Sequence, residues 1–92
     1  MNNQTPNISE IEVEIIKMIA KEMPNKLIAH ELNYSQRMIE YYISKVTKKL
    51  KVQTRVGIVS KAYQMKILSP DSLDPTNENG TDYTFQLYKN AK

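Results

Sequence analysis

Cysteine is absent from the 92-residue chain, which excludes a disulfide framework and a thiolate zinc site and fits a reducing compartment. Histidine occurs once, as His30 in LIAHEL, with no second histidine at metal-ligand spacing. A helix-surface role is therefore expected for it, rather than that of a ligand or a base. There are two glycines, and neither lies in a phosphate-cradling loop. No nucleophile sits beside a base and no carboxylate pair marks a cleft, so an enzyme, a metal and a cofactor are not expected. No apolar run approaches the roughly 18 residues that a bilayer span requires. The start MNNQTPN lacks the charged and apolar regions of a signal peptide. A cytoplasmic protein without a membrane partner is the expectation. Ninety-two residues leave room for one small domain, whose core buries roughly 60 to 65 % of the surface the unfolded chain exposes.

Charge is present but uneven. The net charge is +3, yet residues 1–34 carry three lysines against five glutamates, and residues 67–92 carry two lysines against four acids. Between them, residues 35–66 hold eight Lys or Arg against Glu40 alone, a local sum of +7. A cationic middle between two mildly acidic flanks suits a face built for a polyanion.

Apolar spacing places four helices. Residues 1–7 are polar and interrupted by Pro6, and are expected to be a flexible arm. Ser9 and Glu12 make a capping-box pattern, with Ile8 as the preceding apolar residue of a staple. Ile15, Ile16, Ile19 and Met23 form the core stripe of this first helix, and Ile11 and Met18 widen its edge. Glu12 falls on the same stripe, so its carboxylate needs a cationic or backbone partner, for which Arg55 is the candidate. Pro24 ends this helix or opens the next, and Asn25 is expected to cap a short helix from Lys26 to Leu32. Asn33 and Tyr34 break the chain, and Ser35 caps a longer helix to Leu50. Thr54 caps a fourth helix reaching Met65 or Lys66. From Ser69 the composition turns to Pro, Asn, Asp and Ser, and residues 69–92 are expected to be an irregular or disordered tail. Near its end Tyr83, Phe85 and Leu87 alternate as a strand would, with no partner strand in the chain.

The third helix organises the rest. On a helix, Met38, Ile39, Tyr42, Ile43, Val46 and Leu50 share one broad apolar face. Arg37, Glu40, Tyr41, Ser44, Lys45 and Lys48 fall on the other. Donors, one acceptor and an aromatic ring on a convex cationic surface are what a DNA groove requires. The fourth helix is apolar over more than one side. Ile58, Ala62 and Met65 suffice to close the core, leaving Val56, Val59, Tyr63 and Ile67 as a homodimer surface, unless the core wraps further round.

Short helix, tight turn and longer amphipathic helix make a helix-turn-helix order. With ISEIEVEII, PNKLIAHELNYS, RMIEYYISKVTKKLKV and TR in that order, residues 8–68 resemble the LuxR/GerE-type helix-turn-helix domain of bacterial regulators. The resemblance implies an all-α, four-helix DNA-binding domain, with the third helix in the major groove. By position, Glu40, Tyr41, Ser44 and Lys45 would meet base edges, and Lys26, Arg37, Lys48, Lys49 and Lys51 would meet phosphates. Departures from the pattern are Leu27 for glutamate, Ile11 for arginine, Glu22 for a glycine in the left-handed conformation, and Tyr42 for histidine. Met38 replaces a threonine whose hydroxyl typically supports a phosphate contact.

Two functions follow as expectations. The first is a sequence-specific, nucleoid-associated transcription regulator that binds double-stranded DNA as a homodimer. The second is an interaction module that binds or sequesters another regulator through its fourth helix. A start at Met1 with a polar arm, and no receiver or ligand-binding segment within the sequence ahead of the motif, lead to the expectation of a complete small protein, with a fragment as the alternative.

Overall fold

The computed structural model describes residues 6–70. Expectations for residues 1–5 and for the tail beyond residue 70, including the alternation of Tyr83, Phe85 and Leu87, lie outside the described residues. Four helices follow one another: α1 (Glu10–Ala20), α2 (Asn25–Leu32), α3 (Gln36–Leu50) and α4 (Arg55–Gln64). The fold is all-α, and no strand occurs among the described residues. No helix among them is long and apolar enough to cross a membrane.

Three of the four helices begin where a side-chain hydrogen bond replaces the missing intrahelical one. The Ser9 N–H donates to Glu12 Oε1 at 2.9 Å and the Glu12 N–H to Ser9 Oγ at 3.3 Å, completing the expected capping box. Ser35 Oγ accepts from the Met38 N–H at 3.0 Å, and Thr54 Oγ1 from the Gly57 N–H at 3.0 Å. Gly57 also sits where a Cβ would approach Val52 Cβ to 3.0 Å, so the α3–α4 connection can close tightly over the start of α4. The start of α2 differs from expectation. Pro24 is the cap, its carbonyl accepting from the Leu27 and Ile28 N–H groups, and Asn25 is already helical.

Helix ends use left-handed residues. Glu22, Asn33, Lys51 and Lys66 have φ of 66°, 63°, 59° and 63°, and none is glycine. Glu22 thus adopts the conformation its position implies, and forgoing glycine there costs about 1 kcal/mol. After α4, the Lys66 turn sends Ile67 and Leu68 back, and their N–H groups both donate to the Ala62 carbonyl. Leu68 is thereby buried and closes the core.

The core is one cluster centred on Ile15, Ile16, Ile28, Ile39, Val46 and Ile58. α3 packs on α1, α2 and α4, and α1 also packs on α4. Met18 is buried and Ile11 is half-buried against the cluster, as a widened stripe requires. Met38 departs from its assigned face and is 39 % exposed. At about 100° per residue it lies a quarter turn from the Ile39–Val46–Leu50 line, on the flank of the buried face.

Candidate nucleic-acid interface

The outward face of α3 rests on an ion pair below it. Glu12 is buried to 1 % exposure, and its Oε1 accepts from Lys49 Nζ at 2.7 Å. The same ammonium donates to the Asn7 carbonyl at 2.9 Å. Burial pushes the Glu12 carboxyl up, but the Lys49 ammonium and the Ser9 hydrogen bonds outweigh it and hold the group below its ordinary value. Its Oε2 has no hydrogen-bond partner among the described residues. The expected partner, Arg55, is elsewhere. Its guanidinium donates to Asn25 Oδ1 and to the Met23 carbonyl, each at 2.6 Å, and so ties the start of α4 to the α1–α2 turn. Lys49 wins because it lies in the last turn of α3, which packs on α1, whereas Arg55 lies past the α3–α4 connection.

Above this pair, α3 turns Arg37, Glu40, Tyr41, Ser44 and Lys48 to solvent. Lys45 is half-buried, with its ammonium near two aromatic rings. Its Nζ stands 5.3 Å from the Tyr41 ring centroid and 6.0 Å from that of Tyr42. Tyr41 and Tyr42 meet edge to face at 5.6 Å, and Tyr42 stacks on Tyr34 at 6.0 Å with 20° between the planes. Lys26 is exposed in the first turn of α2, and Lys51 is exposed just after α3. Lys49 is not on this surface, since its ammonium is engaged beneath the helix.

Sequence reasoning assigned Tyr34 only to a break and missed the aromatic run. For the part within α3 a signal was there: Met38, Tyr41, Tyr42 and Lys45 recur at three- and four-residue spacing, which places neighbours on one helix flank.

The outward side of α4 is less open than its apolar count suggested. Val59, Tyr63 and Ile67 are half-buried against the core cluster, so the core does wrap further round this helix. Val56 remains 78 % exposed. No three His, Asp or Glu side chains gather as a metal cage among the described residues.

Residues 6–62 match the family model of bacterial regulatory proteins, luxR family. Over 67 residues, 73 % of the chain, it is 31 % identical to the "Nitrate/nitrite response regulator protein NarL" of Escherichia coli K12. It is 34 % identical over 70 residues, 76 % of the chain, to the "Transcriptional regulatory protein YdfI" of Bacillus subtilis. With the "Probable transcriptional regulator ycf29" of Guillardia theta it shares 37 % over 54 residues, 59 % of the chain. These segments span 29 %, 32 % and 26 % of the respective relatives, so the chain corresponds to about a quarter to a third of their length. No solved structure matches the chain significantly.

Proposed function

We propose a function from one established premise: the chain belongs to the luxR family of bacterial regulatory proteins. That family and the relatives named above are regulators and not enzymes. This chain is a sequence-specific DNA-binding transcription regulator, with α3 in the major groove. Glu40, Tyr41, Ser44 and Lys45 face base edges, where a carboxylate accepts from an exocyclic amine and a tyrosine ring meets a thymine methyl. Lys26, Arg37, Lys48 and Lys51 meet phosphates, and Lys26 does so at a helix N-terminus whose free amides also favour an anion. Lys49 leaves the phosphate set because Glu12 and Asn7 hold it. The observation that carries the reading is the joint exposure of Arg37, Glu40, Tyr41, Ser44 and Lys48 on a helix whose opposite side is locked into the core.

Dimerisation through α4 belongs to the same proposal, with the exposed Val56 at the start of the helix and Val59, Tyr63 and Ile67 following along it. Two copies then address half-sites about one helical turn apart. Titration of the chain against genomic duplexes at two salt concentrations tests the function. Four phosphate contacts per protomer give a slope of log affinity against log salt of about −4 for each protomer. Failure to bind any duplex better than random DNA at low salt overturns the reading.

The exposure of Val56 also favours a second reading, in which α4 captures another regulator. Val56→Asp should then abolish partner binding while Lys48→Ala leaves it intact. On the DNA reading Lys48→Ala weakens DNA binding directly.

A further inference from the structure

Large apolar side chains that remain exposed among the described residues are Tyr34 at 38 %, Met38 at 39 %, Tyr41 at 54 % and Val56 at 78 %. Three of the four fall within eight consecutive positions, at the N-terminal end of α3 and the turn before it. Arg37 lies among them in sequence, and Lys48 stands two turns further along the same helix. Exposed apolar side chains beside a cationic helix face suit a surface whose ligand is charged in outline and apolar at one spot. In duplex DNA the major-groove edge supplies one such group, the C5-methyl of thymine.

The arrangement around the patch narrows the choice of base pair. Tyr42 is stacked on Tyr34 and meets Tyr41 edge to face, so the Tyr41 ring is held in place before any ligand arrives. The Lys45 ammonium lies over the rings of Tyr41 and Tyr42, beside the apolar side chains and within reach of base-edge acceptors. Glu40, exposed next to Tyr41, is an acceptor only and repels the guanine O6 and N7 acceptors. An adenine·thymine pair answers both features, with the adenine N6 amine for the carboxylate and the thymine methyl for the apolar shelf. A cytosine offers an amine but no methyl.

We infer that Tyr34, Met38 and Tyr41 form a shelf that reads thymine methyl groups in the major groove, giving a preference for adenine·thymine pairs opposite the N-terminal half of α3. This rests on the DNA-binding reading and adds to it the chemical feature being read. Tyr42 acts through its neighbours as a positioning residue, and Tyr34 both touches the ligand and anchors Tyr42.

The test starts with the full chain and a random pool of duplexes. The enriched duplex is titrated beside the same duplex carrying deoxyuridine in place of every thymine, which removes the methyl groups and leaves the pairing intact. One buried methyl is worth about fourfold in affinity, so two on the shelf give roughly fifteenfold. The Met38→Gln, Tyr41→Gln double variant should lose most of that difference. Equal affinity for the thymine and uracil duplexes overturns the inference, and so does an undiminished difference in a folded double variant, which would assign it to the duplex itself. The uracil comparison on the unaltered chain needs no substitution and stays decisive if the double variant unfolds. A pool from which nothing is enriched overturns the DNA-binding reading instead.

Discussion

Lys48 and Lys49 are adjacent in α3 and carry the same charge, yet they belong to two different regions of the molecule. Lys48 stands on the outward face in water. Lys49 reaches under the helix to a buried carboxylate and a backbone carbonyl. One step of about 100° along a helix separates a group that can act on a ligand from a group that holds the fold. The cationic excess of the middle segment is therefore divided. Lys49 and Arg55 brace the helices against one another, Arg37, Lys45, Lys48 and Lys51 belong to the surface of α3, and Lys61 and Lys66 lie apart on and after α4. Counting charges along the chain reveals the excess but not the division.

This contrast can be broken from its structural side first. Lys49→Met leaves the Glu12 carboxylate buried without its cation, with Oε2 already lacking a partner. Because Lys49 is 29 % exposed, the expected loss lies below the full range for buried pairs, at about 2 kcal/mol, or roughly 10 °C in Tm. Lys48→Met should change stability by less than about 0.5 kcal/mol. For DNA affinity measured under folding conditions the order reverses, Lys48→Met reducing binding and flattening the salt slope by about 1.

Arg55→Ala comes next. It removes two charge-assisted hydrogen bonds that tie α4 to the α1–α2 turn, for an expected cost of about 2 kcal/mol in denaturant unfolding. A loss as small as that of an exposed cation would place Arg55 with the surface group.

Protonation provides a gentler cut at the same pair. The Glu12 carboxyl lies below its ordinary value of 4.5 when folded, so the unfolded chain binds the proton more readily. Its contribution is fully present above about pH 4.5 and is lost as pH falls through the lower folded value. Glu12→Gln lacks that dependence, and the stability gap between the two chains should narrow as pH is taken from 6 to 3 in chemical denaturation.

The smallest expected effect lies in neither region. Lys66 is exposed with φ of 63°, and Lys66→Gly should stabilise the chain by about 0.5 to 1 kcal/mol without altering DNA binding. Thermal melting and the titration above check both halves of that statement.

Local signals were legible in the chain because local chemistry decides them. Ser9, Ser35 and Thr54 announce three helix starts, and the three-and-four spacing of Ile15, Ile16, Ile19 and Ile39, Val46, Leu50 announces the buried faces. The pairing of Glu12 was half legible. Its position on the core stripe required a cation, but Lys49 and Arg55 are 37 and 43 positions away, and only the packing of α3 on α1 selects between them. The outward face of α3 was legible as a set, since exposure follows from the helix period once the inner face is known. The Tyr34–Tyr42 stack was not, because Tyr34 precedes the cap and its ring direction depends on the Asn33 turn. On α4, apolar count overstated the free surface, because half-burial of Val59, Tyr63 and Ile67 depends on how closely α1, α3 and the returning Leu68 approach.

The central claim is that the outward face of α3 reads sequence while its inner face and the Glu12–Lys49 pair hold the fold. Selection from a random duplex pool by the parent chain and by a Glu40→Gln, Tyr41→Ser, Ser44→Ala variant, with thermal melting of both, tests it most directly. All three side chains are exposed, so the melting temperatures should agree within a few degrees while the enriched sequences differ. The same enriched sequence from both chains, or a variant that melts far lower, would contradict the account and make α3 a structural helix on both faces.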